Sequence, residues 1–116
     1  MSEISKILAI NGSHRSQEGI SEVLLRTFLK GAQAAGAECE VFYPSRMKIS
    51  PCRACHQCIL ETPGQCFYQD DMAVLIEKMD TAELMVWTAP VYFDTAPSNM
   101  QKLLERLMPI YGTIFA

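Results

Sequence analysis

Apolar positions along the chain fall into short runs and longer stripes that alternate. "KILAIN" at 6–11 gives way to the polar segment "GSHRSQEG" and predicts a buried strand running into a turn. From Ile20 to Ala35, the positions Val23, Leu24, Phe28, Gly31, Ala32 and Ala35 recur at helical spacing. Gly36 suits the left-handed residue that closes such a helix. "ECEVFYP" at 38–44 alternates Cys39, Val41 and Tyr43 with other residues and stops at a proline, as a second strand would. Asp70 and Asp71 place negative charge where a helix begins, with a capping role. Met72, Leu75, Ile76 and Met79 then repeat at i, i+3, i+4 and i+7. "ELMVWT" at 83–88 is nearly all apolar and predicts a third strand covered on both faces, with Trp87 in the core. "APVYFDTAPS" is a loop, and Pro97 suits the first turn of a last helix striped by Met100, Leu103, Leu104, Leu107 and Met108.

Apolar strands separated by amphipathic helices, in the order β-α-β-loop-α-β-α, predict an α/β domain: a parallel sheet sandwiched between helical layers. The competing meander would need hairpin turns, and no Asn-Gly or Asp-Gly joins two strands. In such sheets ligands sit beyond the carboxyl ends of the strands where the winding reverses. For strand order 2-1-3 that point lies between strands 1 and 3. The loops leaving those strands are "NGSHRSQEGIS" and "TAPVYFDTAPS".

The first offers hydroxyls, backbone N–H groups, a helix N-terminus and the permanent charge of Arg15, which together suit a phosphate. It is neither a Walker loop nor a GxGxxG fingerprint, and a polar turn without a ligand would look similar. The second presents Pro90, Val91, Tyr92 and Phe93, which suit a flat ring system unless the aromatics tuck inward. Phosphate beside a flat heterocycle is the combination that FMN carries.

Composition narrows the field. The 116 residues suit one domain; about half are apolar and a fifth charged, as in soluble globular proteins. A net charge of −3 argues against nucleic acid as a partner. No apolar run approaches a membrane span, and the start lacks the layout of a secretory signal, so the cytoplasm is the expected compartment. Four of the five cysteines, Cys52, Cys55, Cys58 and Cys66, follow C-x2-C-x2-C-x7-C in a loop at 51–69. In a reducing compartment such a cluster fits metal or redox chemistry better than disulfides. The spacing resembles the four-thiolate ligation of cubane iron–sulfur clusters more than the paired C-x2-C units of zinc sites, with free or redox-active thiols a further reading. Cys39 reads as a small buried hydrophobe, and His14 and His56 as solvated.

"GSHRSQEGIS", "PCRACHQC…C…DDM" and "APVYFDTAPSNMQKLLER" together resemble the NAD(P)H-dependent FMN reductases and iron–sulfur flavoproteins of the flavodoxin-like superfamily. The resemblance implies an FMN-dependent oxidoreductase with NAD(P)H as a possible donor. It places the FMN phosphate on Ser13, Arg15, Gly19, Ile20 and Ser21, with Ser16 nearby, and the isoalloxazine against Pro90, Val91, Tyr92, Phe93 and Asp94. It also implies a 4Fe-4S cluster on Cys52, Cys55, Cys58 and Cys66, beside the flavin and exchanging electrons with it. No side chain is then required as a catalytic acid or base. The superfamily fold has five strands, whereas this chain, read as one partial domain over 1–116, shows three; "PIYGTIFA" could at most begin a fourth segment. An uncovered sheet edge is a liability. A homodimer or another completing chain is therefore expected. The alternative from a different class is a non-enzymatic module using the cysteine loop for zinc or docking.

Overall fold

A computed structural model describes residues 5–110, so "YGTIFA" at 111–116 lies outside the described residues. Three strands form one parallel sheet: β1 (Lys6–Asn11), β2 (Glu38–Phe42) and β3 (Leu84–Thr88), in the order β2-β1-β3. Helix α1 (Ile20–Ala34) joins β1 to β2. The long return to β3 contains a 3-10 turn at Pro44–Arg46, the short α2 (Gln57–Leu60) and α3 (Met72–Thr81). Helix α4 (Ser98–Glu105) follows β3.

The central strand dictates the layers. Period-two alternation sends Leu8 and Ile10 to one face of the sheet and Ile7 and Ala9 to the other. On the first face Leu8 and Ile10 pack with Met72, Leu75 and Met79 of α3, Met100 and Leu103 of α4, and Ile49 and Leu107. On the second, Ile7 and Ala9 pack with Leu25 and Leu29 of α1. Both faces of β1 are thereby sealed, and the expected three-layer α/β fold is present. The buried methionines of α3 and α4 are core residues, while Leu104 and Met108 of the expected stripe stay exposed. Among the described residues no helix is long and apolar enough to cross a membrane.

Two expectations change. On α1, Val23, Leu24 and Phe28 are exposed, and the buried positions are Ser21, Glu22, Leu25 and Leu29. An apolar count misses that line because it opens with a serine and a carboxylate. Glu22 is tolerated there because Asn11, Arg26 and Tyr43 all donate hydrogen bonds to it. Burial opposes its charge, but Arg26, Tyr43 and Asn11 outweigh it and hold the carboxyl below its usual range. Strand β3 is not covered on both faces either. It pairs only with β1 among the described residues; Met85 is exposed, and Trp87 is half-buried beside an open groove of about 880 Å³ between α3 and α4. Cys39 is likewise half-buried.

Gly31 lies inside α1 with nothing within 4 Å of where a Cβ would sit. Gly31→Ala is expected to stabilise the chain by about 0.5–1 kcal/mol, since it removes glycine's helix penalty and meets no neighbour. Urea denaturation checks this, and no gain would mean that α1 is less regular than described.

Candidate functional site

Because β1 and β3 are parallel neighbours with Asn11 opposite Thr88, the loops that leave them start side by side at the carboxyl edge of the sheet. The Gly12 N–H donates to the Thr88 carbonyl at 2.7 Å, so the pairing continues into the loops. His14 Nε2 lies 3.4 Å from Ser98 Oγ, which brings the first loop against the start of α4. Sequence reasoning predicts this convergence, and the strand order provides it.

The first loop is shaped from beneath by Asn11, which is fully buried. Its Oδ1 accepts the Ser13 N–H at 3.0 Å, and its Nδ2 donates to the Ser16 carbonyl and to Glu22, each at 3.1 Å. Ser13 Oγ accepts the Arg15 N–H, and Ser16 Oγ is hydrogen-bonded to Ser45 Oγ. The Ser13 and Ser16 hydroxyls therefore help to hold the loop together. Arg15 and Ile20 are exposed, whereas Ser13, Ser16 and Ser21 are buried. Gly19 precedes α1 with φ +115° and offers no side chain to cap it, so an anion would find the helix N-terminus uncapped.

The second loop is a tight reversal. Tyr92 and Thr95 exchange both backbone hydrogen bonds at 3.0 Å, with Phe93 and Asp94 between them at φ 50° and 61°. Two successive left-handed residues match a type I′ turn, normally built from glycine or asparagine. Here the turn lifts Phe93 fully into solvent, with Val91 and Tyr92 also exposed. Beneath it, a concavity of about 380 Å³ is lined by Thr88, Pro90, Val91, Asp94, Thr95 and Met100 among others. The Thr88 hydroxyl is buried with no hydrogen-bond partner among the described residues. Met100 also packs against Gly12, so one side chain sits between both loops.

The cysteine loop rises from a closed stem. Asp71 Oδ2 accepts the Lys48 N–H, Asp70 Oδ2 accepts the Ser50 N–H, and the Asp71 N–H returns to the Lys48 carbonyl. The two aspartates thus serve mainly as stem clamps; Asp70 also accepts the Met72 N–H, while Asp71 caps nothing with its side chain. Arg106, just after α4 and 1% exposed, locks the stem. Its guanidinium makes two bonds to Asp70, at 2.8 and 2.9 Å, and a third to the Ser50 carbonyl at 2.9 Å. Burial alone would raise the Asp70 carboxyl; bonds from Arg106 and the Ser50 and Met72 amides outweigh it and hold the pKa low. Burial also works against the Arg106 charge, but Asp70 and the nearby Cys66 sulfur hold its pKa above the ordinary value.

Above the stem, Cys52, Cys55, Cys58 and Cys66 all line one largely apolar cavity of about 70 Å³, together with His56, Phe67, Tyr68 and Arg106. Ala54 and His56 adopt left-handed conformations, at φ 57° and 58°, and these wrap the chain around it. His56 is exposed. Burial pushes the Cys58 thiol up, and the neighbouring sulfurs of Cys66, Cys52 and Cys55 push it further. The Cys55 thiol is held lower by the Gln57 N–H and by Arg53. Among the described residues no three cysteine, histidine or acidic side chains converge closely enough to share one metal ion.

Asn11, Glu22 and Arg106 are the residues that sequence reasoning missed. An asparagine closing an apolar strand and an arginine inside an apolar helical stripe were the available signals.

Comparison with known proteins gives relatives in sequence and in fold. The sequence model described as NADPH-dependent FMN reductase matches residues 5–114. An iron-sulfur flavoprotein of Methanosarcina thermophila is 32% identical over 111 residues, covering 96% of this chain and 56% of that protein. One from Methanocaldococcus jannaschii is 30% identical over 105 residues, covering 90% of this chain and 53% of its own. The chain thus spans about half the length of these relatives. Among solved structures, an NAD(P)H:quinone oxidoreductase from Methanothermobacter marburgensis superposes with a TM-score of 0.72 at 18% identity, over 90% of this chain and 53% of that one.

Proposed function

Because the chain belongs to the NADPH-dependent FMN reductase family of oxidoreductases, we propose that it forms the FMN-holding part of a flavin oxidoreductase whose cysteine loop carries a 4Fe-4S cluster. The observation that carries the flavin reading is the convergence of the two loops on Met100, which packs against Gly12 of the first and lines the concavity beneath the second. The Thr88 hydroxyl beneath the second loop, unpartnered among the described residues, offers a hydrogen bond to a polar ligand edge.

When bound, FMN would supply hydride acceptance from NAD(P)H and onward electron transfer. The chain's own residues bind and orient. Arg15, the backbone N–H groups of 13–21 and the α1 N-terminus hold the phosphate, with Ser13, Ser16, Gly19, Ile20 and Ser21 framing it. Pro90, Val91, Tyr92, Phe93 and Asp94 flank the ring and exclude water from one side of it. The left-handed turn at Phe93–Asp94 is local strain of the kind that collects at ligand sites.

For the cluster, the supporting observation is that four thiols line one apolar cavity without converging on a point. A single zinc, with bonds of about 2.3 Å, needs its sulfurs gathered around one centre. A cubane seats each thiolate on a different iron and suits wider spacing. The names of the curated relatives point the same way. The outer edge of β3, unpaired among the described residues, fits a completing segment or second copy.

The test is purification without oxygen followed by FMN titration and metal analysis. A yellow-brown protein with one FMN and about four irons per chain is expected. A colourless chain that takes up no FMN would reject the flavin reading, and zinc in place of iron would reject the cluster.

A further inference from the structure

The cysteine cavity also has a buried cation that no thiol pattern reveals. Arg106 lines it, and its Nε is buried with no hydrogen-bond partner among the described residues, although both Nη atoms are engaged. An unmet buried donor is costly unless something accepts from it. The Cys66 sulfur lies close enough to influence the guanidinium, yet Nε makes no bond of normal geometry to it. Meanwhile the guanidinium cannot easily turn away. Asp70 and the Ser50 carbonyl fix its far side, and the Tyr68 ring lies 5.0 Å from its central carbon.

We propose that Arg106 is a positioning residue for the cysteine cavity: clamped by Asp70, it presents Nε–H as a fixed, cationic hydrogen-bond donor to the Cys66 thiolate or a cluster sulfide. This rests on the cluster reading above and adds to it. Four thiolates around an iron–sulfur core leave a net negative group in an apolar cavity, where a nearby cation and an oriented donor act most strongly. Cluster potentials are set in part by hydrogen bonds to sulfur and by surrounding charge. Asp70 has two consequences: it holds the guanidinium in place, and it also neutralises part of its charge, so the donor's direction matters more than raw charge. Arg53 is the contrasting cation. It also lines the cavity, beside Cys55, but is exposed, stacked 3.7 Å over Phe67, and screened by solvent.

The experiment compares wild type, Arg53→Gln, Arg106→Lys and the double variant Asp70→Asn/Arg106→Gln, each reconstituted with iron and sulfide without oxygen. The double variant replaces the ion pair by a neutral hydrogen-bonded pair and removes the Nε donor. Its cluster potential is expected to shift to more negative values, with iron lost to a chelator roughly 10–100-fold faster. Arg53→Gln removes a solvent-screened charge beside Cys55 and should shift both readouts less than either Arg106 variant. Arg106→Lys keeps charge beside Asp70 but lacks the donor, so faster iron loss with a smaller potential shift is expected; it carries the test alone if the double variant fails to fold. A purely structural clamp would change the melting temperature but not the potential. Unchanged potential and chelation rate in folded, iron-loaded variants would overturn the inference while leaving the cluster reading standing. If wild type itself takes up no iron, both fall together.

Discussion

Arg106→Met is expected to destabilise the chain before any cofactor is added by about 3–5 kcal/mol, a large share of what a domain this size holds. Arg106 is 1% exposed and the Asp70 side chain 14%, so removing the cation strands a carboxylate that water barely reaches. The loss also opens the stem, because the Ser50 carbonyl forfeits its donor. Asp70 keeps the Ser50 and Met72 amides as partners, which favours the lower end of that range. The double variant Asp70→Asn/Arg106→Gln should cost much less, since no unpaired charge remains. Urea denaturation at neutral pH checks both.

The same pair sets a pH signature. In the wild type the Asp70 carboxyl is held below its ordinary value, so its contribution is complete above about pH 4 and lost as pH falls through the lowered folded pKa. Glu22 acts in the same direction. In Arg106→Met, burial without the arginine should push Asp70 above its ordinary value, so the variant is relieved by acid. The stability gap between the two proteins should therefore begin to narrow above about pH 4, where the variant's Asp70 takes up its proton, and go on narrowing below it as the wild type loses its pair. A gap that is constant with pH would mean that Arg106 contributes packing, and not charge pairing.

The sequence is most legible where one residue type carries one physical meaning. The apolar runs "KILAIN" and "LMVWT" announce strands, and the strand–helix order makes the sheet parallel. From there the meeting of the two loops follows, because adjacent parallel strands end at the same edge. The reading fails where a position's meaning depends on its neighbours in space. Glu22 faces inward only because Asn11, Arg26 and Tyr43 await it, and no spacing rule shows three partners at once. Arg106 sits inside an ordinary amphipathic stripe, and its partners lie 36 and 56 residues away. Strand β3 reads as doubly covered because composition reports what a surface is suited for; the described residues include no strand along its outer edge. The cysteine motif is visible at once, but its stem, closed by Asp70 and Asp71, is indistinguishable in sequence from simple helix capping.

Gly12→Val should all but abolish FMN binding, with affinity lowered by about 100-fold, or nearly 3 kcal/mol. A Cβ at Gly12 would stand 2.5 Å from the Met100 Cε and 3.2 Å from its Cβ. The methyl end can swing aside; the Cβ is fixed to the α4 backbone and cannot. Two further methyls in a buried position then force α4 outward, an overpacking cost of about 1–3 kcal/mol in stability. Met100 also lines the concavity under the second loop, so its displacement moves the aromatic side of the crevice away from the phosphate side. Gly12→Ala should be much milder, because only the thioether end must yield. Adding Met100→Ala to Gly12→Val should recover part of the affinity by vacating the contested space. Fluorescence titration with FMN, alongside urea denaturation to confirm folding, separates these cases. A folded Gly12→Val chain that binds FMN as wild type does would show that the two loops do not share one ligand.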